Sequence, residues 1–119
     1  MIVAGFGFRF GASLASLRCA LAQLGAVPVT HLATVQDKVE ALAPLAREMG
    51  LPLIGIGSEL LAATATPTAS DISRRARGTG SVAEAAALAA AGRGGCLLHS
   101  RRISRDRMAT CAIAQGNIA

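Results

Sequence analysis

Polar and charged side chains fall at the points where the strands of this sequence are predicted to end. In an α/β sheet, ligands bind at the carboxyl ends of the strands, so these side chains are candidates for a shared site. They are Arg9, Ser13, Thr34, Asp37, Lys38, Ser58, Ser81 and Glu84. Helix capping is the alternative role for the hydroxyls and for the acid Asp37. Lys38 fits capping poorly, because a cation opposes the dipole of a helix start; an anionic ligand, a partner carboxylate or solvent exposure would explain it.

A glycine-rich segment, Gly5-Phe6-Gly7-Phe8-Arg9-Phe10-Gly11, follows the first apolar run. Glycines in such a turn let backbone amides approach a phosphate at a helix start. The third glycine comes one position too late for a dinucleotide fingerprint, and no acidic residue ends the second strand to bind a ribose. We therefore expect no nucleotide cofactor, and we predict a ligand site that Gly7 and Gly11 open at the end of the first strand.

The formal net charge of +5 arises wholly from the second part of the chain. Residues 1–70 carry equal numbers of basic and acidic side chains, whereas residues 71–119 carry eight arginines against Asp71, Glu84 and Asp106. The planar guanidinium suits bidentate pairing with carboxylate or phosphate groups, although a solvated arginine surface has the same composition. The arginines lack interleaved aromatic residues, so we do not expect them to bind single-stranded nucleic acid.

Histidines and cysteines are too few and too scattered for a metal site or a catalytic triad. His31 and His99 lie in separate apolar runs, and Cys19, Cys96 and Cys111 show no CxxC spacing. We therefore expect no metal and no disulfide framework, and a reducing cytoplasm as the compartment. No run is long and apolar enough for a membrane span, and the start lacks the positive region of a secretory signal. A transit peptide, which shares the early scarcity of acids, is the alternative.

Hydrophobic residues make up 52% of the 119 residues and charged residues 16%, which predicts a single domain over 1–119 with a core of Ala, Leu, Ile and Val. Strands are predicted at 2–6, 27–32, 53–56, 96–100 and 108–114, and helices at 13–24, 34–49, 58–63 and 81–92, with a kink or break near Pro44. Residues 64–80 are predicted to form a loop, and 101–107 a basic turn. This order predicts a three-layer α/β/α fold, in which a mostly parallel, mixed sheet of about five strands ends in an antiparallel hairpin.

Four sequence blocks, taken in order, resemble the CobE family and the C-terminal domain of CbiG, which are proteins of cobalamin (vitamin B12) biosynthesis. The blocks are Gly5-Phe6-Gly7-Phe8-Arg9 with Gly11-Ala12-Ser13, then Ala33-Thr34-Val35-Gln36-Asp37-Lys38, then Gly80-Ser81-Val82-Ala83-Glu84-Ala85-Ala86-Ala87-Leu88, and Ala109-Thr110-Cys111-Ala112-Ile113-Ala114. A chain of this length resembles CobE more than the longer CbiG. The resemblance implies a cytoplasmic accessory protein of corrin-ring construction; CbiG-like proteins open a ring-A lactone and release acetaldehyde.

The resemblance also implies a precorrin or other corrinoid ligand, whose apolar ring is fringed with carboxylates that an arginine-rich, glycine-lined mouth complements. The expected ligand contacts are Gly7, Arg9, Gly11, Ser13, Thr34, Lys38, Ser58, Ser81, Glu84 and Thr110. The preferred hypothesis is a protein that binds or carries the intermediate, without a cofactor, nucleic acid or membrane partner. The alternatives are a lactone-opening hydrolase with Glu84 or Asp37 as general base, and an interaction module for other pathway enzymes. Residues 64–80 are expected to close over the ligand.

Overall fold

The computed structural model describes residues 1–63, 82–92 and 94–116. The strands in these ranges are β1 (Ile2–Phe8), β2 (His31–Val35), β3 (Leu53–Ile56), β4 (Cys96–Ile103) and β5 (Ala109–Gln115). The helices are α1 (Leu14–Ala22), α2 (Val39–Met49), α3 (Ser58–Ala63) and α4 (Val82–Ala91), and a short 3-10 helix (Gln36–Lys38) leads into α2. None of the helices in the described ranges is both long enough and apolar enough to cross a membrane.

The five strands form one sheet in the order β3-β2-β1-β5-β4. Strands β1, β2 and β3 run parallel, whereas β5 runs antiparallel to β1 and β4 runs antiparallel to β5. The predicted mixed sheet with a terminal hairpin is therefore confirmed. Because of these directions, β1 to β4 all end, and β5 begins, at one edge of the sheet, which we call the carboxyl edge.

Helices cover both faces of the sheet, as the three-layer prediction requires. On one face, α1 and α2 pack on a core that includes Phe6, Leu17, Leu42 and Ile113. On the other face, α3 and α4 pack on a smaller core that is rich in alanine and includes Leu61. Burying a leucine or phenylalanine side chain contributes about 1.5–3 kcal/mol, so the first face supplies the larger share of the apolar stabilisation.

Strand β1 is longer than predicted, because its glycines lie within the strand. We expected β1 to end at residue 6 and Gly7 to lie in a turn, yet the strand continues to Phe8. The side of β1 that holds Gly5 and Gly7 faces α4. A Cβ on Gly5 would overlap the carbonyl oxygen of Ala83 and lie 2.5 Å from Ala87 N. These glycines therefore let α4 approach the sheet closely, and the turn begins only at Arg9.

Strand β2 was predicted at 27–32 and is found at His31–Val35, so the predicted bounds were wrong. Pro28 lies at the centre of a tight turn in which Val29 N donates to Val27 O at 2.8 Å, and a strand cannot pass through such a turn. Val27 and Val29 nevertheless pack against the core, which explains the strand-like composition. The shift places Thr34 inside β2 rather than at a helix start.

Helix α2 begins at Val39, later than predicted, and no side chain caps its start. The helix is continuous through Pro44, so it does not break between Leu42 and Pro44; a kink there, the other outcome that we expected, stays a prediction. Helix α4 and the helix Ser58–Ala63 agree with prediction, and Gly92 ends α4 with a φ of +87°. The predicted loop 64–80 and the predicted cap Ser81 lie outside the described residues.

Candidate functional site

At the carboxyl edge, the backbone pairing of β1 with β2 ends before either strand does, and side chains join the two strands there. Backbone pairing of these strands runs from Val3 with His31 to Gly5 with Ala33. Beyond that point, the hydroxyl of the fully buried Thr34 donates to Phe6 O at 2.9 Å. Thr34, predicted to be a cap and a ligand contact, therefore completes the hydrogen bonding of the sheet.

Lys38 makes a second side-chain hydrogen bond to the backbone of β1, two residues beyond the contact of Thr34. Its Nζ donates to the carbonyl oxygen of Phe8 and lies 5.1 Å from the centroid of the Phe8 ring. The carbonyl dipole and the aromatic face of Phe8 both stabilise a cation at this position. Lys38 also lies at the carboxyl edge, so the structure places it where the sequence predicted a site.

Replacing Thr34 with valine should lower the free energy of unfolding by about 1 kcal/mol, because the buried hydrogen bond from the Thr34 hydroxyl to Phe6 O is lost. Thr34→Ser keeps the hydroxyl and serves as the control. Urea denaturation followed by circular dichroism measures both changes. If Thr34→Val is as stable as Thr34→Ser, the hydroxyl does not hold β1 to β2.

Gly7 and Gly11, the two predicted ligand glycines, have different surroundings. Thr110 Oγ1 donates to Gly7 O at 3.1 Å, and a Cβ on Gly7 would lie 3.1 Å from the Val82 Cβ. The backbone of Gly7 is thus packed against Thr110 and the start of α4. Gly11, by contrast, has a φ of +88° and open space around it. It lies in the exposed turn where Ala12 N donates to Arg9 O at 3.0 Å, so only Gly11 has the role in a turn that we predicted.

A network of hydroxyls ties the start of α1 to the turn between β4 and β5, residues 104–108, which we call the hairpin turn. Ser13 caps α1 as expected, in a reciprocal pair of hydrogen bonds with Ser16. Ser16 Oγ then donates to Asp106 Oδ2 at 2.5 Å. Asp106 Oδ1 accepts from Ser104 Oγ at 2.5 Å and from Met108 N at 3.1 Å. Asp106 therefore fixes the hairpin turn against α1.

Acid should loosen the hairpin turn, because hydrogen bonds from the Ser104 and Ser16 hydroxyls and from Met108 N hold the pKa of Asp106 below its usual range. A carboxylate with a lowered pKa in the folded state stabilises the fold above its unfolded pKa of about 4. That contribution is lost as the pH falls through the lower, folded-state pKa. We expect Asp106→Asn to remove this part of the acid dependence.

The measurement is the midpoint of urea unfolding between about pH 6 and pH 3 for the unaltered chain and for Asp106→Asn. Glu48, whose pKa is lowered by its hydrogen bonds from Arg18, titrates in both proteins and cancels in the comparison. We expect the variant to be less stable near pH 6 and the two proteins to converge in acid. Parallel pH profiles would contradict this role for Asp106.

Arginines line the carboxyl edge beside the hairpin turn, and we call them the arginine rim: Arg9, Arg101, Arg102, Arg105 and Arg107. Arg9 N donates to Met108 O at 2.8 Å, which fixes the start of the Arg9 loop on the hairpin turn. Arg9, Arg102, Arg105 and Arg107 are exposed. Within the described ranges the single ion pair joins Arg18 to Glu48, so no described carboxylate forms an ion pair with the rim.

Glu84 and Asp37, the two candidate general bases, lie in contrasting environments. Glu84 is fully buried on α4, and its Oε2 accepts from Arg101 N at 3.1 Å. Between the pair His99–Ile113 and the pair Arg102–Cys111, β4 advances three residues and β5 only two. Arg101 therefore lies in a β-bulge. The Glu84 carboxylate therefore satisfies an amide that the bulge takes out of the ladder. Asp37 is exposed in the 3-10 helix.

The remaining predicted contacts are not all brought to one place. Ser58 is exposed at the start of α3 after β3, which is an edge strand of the sheet. Ser81 lies outside the described residues. Sequence reasoning missed Ser16, Ser104 and Asp106, and the only sequence signals were the Ser-x-x-Ser spacing at the start of α1 and a short Ser-x-Asp turn. The acceptor of Ser16 lies 90 residues away, so no local pattern could have identified the pair.

The cysteines and histidines form no candidate metal centre in the part of the chain that the structure describes. Cys19, Cys96 and Cys111 are free thiols. Burial in the core raises the pKa of the Cys111 thiol well above its usual range, which keeps it protonated and unreactive. Cys19 Sγ accepts from Arg105 N at 3.3 Å, so it contributes to the contact between α1 and the hairpin turn.

The family model and the solved structures that match this chain are all described as belonging to cobalamin biosynthesis. Residues 2–114 match a family model described as cobalamin synthesis G C-terminus. The structure of CobE, a protein from the cobalamin (vitamin B12) biosynthetic pathway, is 30% identical with a TM-score of 0.79, over 96% of this chain and 92% of that one. Cobalamin biosynthesis protein chiG from Agrobacterium tumefaciens strain C58 is 33% identical with a TM-score of 0.70, over 99% of this chain and 100% of that one.

A third structure, of a cobalamin biosynthesis protein G homologue from Sulfolobus solfataricus, is 20% identical with a TM-score of 0.73. The match covers 95% of this chain and 36% of that one, and at this identity it shows the fold alone. No curated protein sequence matches this chain significantly.

Proposed function

This chain belongs to the cobalamin synthesis G C-terminus family and is a cobalamin biosynthesis protein of the CobE and CbiG C-terminal type, and from that premise we propose that it binds a corrinoid intermediate. The arginine rim is the observation that carries the proposal. Its guanidiniums have no ion pair within the described residues, and such groups pair bidentately with carboxylates. Corrin precursors carry acetate and propionate carboxylates around the ring, so the rim complements their fringe.

The geometry of the rim supports binding of one ligand through several of its carboxylates at once. Arg9 follows β1, whereas Arg105 and Arg107 lie in the hairpin turn, and the Arg9 N to Met108 O hydrogen bond holds these two segments together. Asp106, the acid between the two turn arginines, directs its oxygens to Ser16, Ser104 and Met108 N. The Asp106 carboxylate is therefore occupied by hydrogen bonds within the fold. Within the described residues it forms no ion pair with the neighbouring guanidiniums, which can bind a ligand.

Hydrolysis of the ring-A lactone is the alternative reaction, and the geometry favours binding over it. The Glu84 carboxylate has no exposed surface and already accepts from Arg101 N. A general base must reach the water or proton that it takes, and Glu84 is instead placed to hold the bulge of β4. We therefore propose that the protein binds the intermediate and passes it on to other enzymes of the pathway. The free thiols fit a reducing compartment, so we propose the cytoplasm as the site of binding.

The proposal is tested by titrating the protein with pigmented corrin intermediates and following their absorbance. Dicyanocobyrinic acid is one accessible probe, and its fully methyl-esterified form keeps the ring while removing the charges. We expect saturable binding of the acid, an unchanged spectrum over time, weaker binding at high salt and no binding of the ester. A chain that binds no carboxylated corrin contradicts the proposal. With a lactone-bearing intermediate as the titrant, a changing spectrum with acetaldehyde release would identify an enzyme rather than a carrier.

A further inference from the structure

We infer that Phe10 stacks on the face of the corrinoid ring whose carboxylates the arginine rim binds. This inference deepens the proposed function and rests on it. It assigns a specificity residue for the ring itself, because arginines alone recognise carboxylates on any scaffold. The assigned ligand class is a flat, conjugated macrocycle with an anionic fringe.

Exposure singles out Phe10 among the aromatic residues. The chain has three phenylalanines and no tryptophan or tyrosine. Phe6 is fully buried in the core, and Phe8 is partly buried beneath Lys38 Nζ. Phe10, in contrast, is 101% exposed. A large apolar ring in water is unfavourable, and no packing within the described fold accounts for it.

The backbone on both sides of Phe10 is held in place. Arg9 N donates to Met108 O at 2.8 Å, and Ala12 N closes the turn by donating to Arg9 O at 3.0 Å. Gly11 takes the left-handed conformation that the turn needs, with a φ of +88°. The ring is thus presented at the carboxyl edge by a fixed turn, which reduces the entropy that a ligand must remove on binding.

The chemistry of Phe10 matches the part of a corrinoid that guanidiniums leave uncovered. The conjugated ring is apolar on both faces, and offset stacking with an aromatic side chain is favourable. Phenylalanine offers no hydroxyl or indole N–H, so its contribution is contact with a flat surface. Because Phe10 directly follows Arg9, one turn can contact both the fringe and the face of the same ligand.

The test compares Phe10→Ala and Phe10→Trp with Leu98→Ala as a matched control, because Leu98 is a second exposed apolar side chain, on β4. Metal-free hydrogenobyrinic acid, which has no axial ligand on either face of its ring, is the ring-bearing probe, and butane tetracarboxylate is a ring-free probe for the rim alone. Absorbance titration and calorimetry give the affinities. We expect Phe10→Ala to weaken binding of the corrin about tenfold, with Phe10→Trp close to the unaltered chain. Affinity for butane tetracarboxylate should not change, and Leu98→Ala should alter neither affinity.

Three other outcomes would overturn the inference, and they show whether the proposed function fails with it. If the unaltered chain binds the corrin and Phe10→Ala binds it equally well, Phe10 does not stack on the ring, and the proposed function stands. If Phe10→Ala weakens both probes equally, the residue shapes the Arg9 turn rather than contacting the ring. If the unaltered chain binds no carboxylated corrin, the inference and the proposed function fall together.

Discussion

Replacing Gly5 with alanine is expected to lower the free energy of unfolding by about 3 kcal/mol. The added methyl group would overlap the carbonyl oxygen of Ala83 and lie 2.5 Å from Ala87 N and 2.8 Å from its Cβ. Two of these three atoms belong to the backbone of α4, so the clash cannot be relieved by a change of rotamer. Either α4 moves away from the sheet or β1 distorts, and both responses disrupt the alanine-rich core on that face.

Gly57→Ala is the matched control, because a Cβ there meets nothing within 4 Å and its φ is not in the left-handed region. We expect it to change stability by no more than about 0.5 kcal/mol. Urea denaturation of both variants, followed by circular dichroism, measures the difference. Equal stability of the two variants would show that α4 does not pack on β1 as closely as the structure has it.

Replacing Glu84 with alanine is the second large effect that we expect, a loss of about 3 kcal/mol. The substitution leaves the amide of Arg101 without its acceptor and opens a cavity beneath β4, because the Glu84 side chain is fully buried. Glu84→Gln keeps an acceptor oxygen of nearly the same shape. It should therefore cost much less, about 1 kcal/mol, which urea denaturation can distinguish from the alanine variant.

The Glu84 variants also separate a structural role from a catalytic one. If Glu84 positions the bulge that carries Arg101, Glu84→Gln retains its affinity for dicyanocobyrinic acid, whereas Glu84→Ala, kept folded at low temperature, binds more weakly. If Glu84 is instead a general base, the purified protein releases acetaldehyde from a lactone-bearing intermediate, and Glu84→Gln abolishes the release with little change in affinity. The second result would contradict the positioning role.

The order and type of the elements could be predicted because local signals are strong where the chain turns. Strand β3 has the predicted bounds, and Gly50 and Pro52 lie just before it with Gly57 directly after. The bounds of β1 and β2 were wrong for reasons that lie outside the local sequence. Gly7 lies in β1, where it packs against Thr110 and Val82 from distant parts of the chain, and Thr34 lies in β2 because that strand begins after the tight turn at Pro28.

For the predicted site residues, position in the fold could be foreseen better than side-chain contacts. The rule that ligands bind at the carboxyl ends of strands predicted that Arg9 and Lys38 lie at one edge of the sheet, and both lie at the carboxyl edge; that a ligand binds there stays a prediction. The rule could not show that Lys38 and Thr34 bind carbonyls of β1, because those acceptors lie 30 and 28 residues away. The capping role of Ser13 was predictable, since its partner Ser16 lies within the same helical turn.

The affinity of Arg9→Gln for dicyanocobyrinic acid tests the central claim most directly. Arg47→Gln is the matched control, because it removes the same charge from an exposed position in the last turn of α2. At low salt we expect Arg9→Gln to bind about tenfold more weakly than the unaltered chain, and Arg47→Gln to bind almost as tightly. Equal losses in the two variants would show that only net charge attracts the ligand, and would contradict a binding site at the arginine rim.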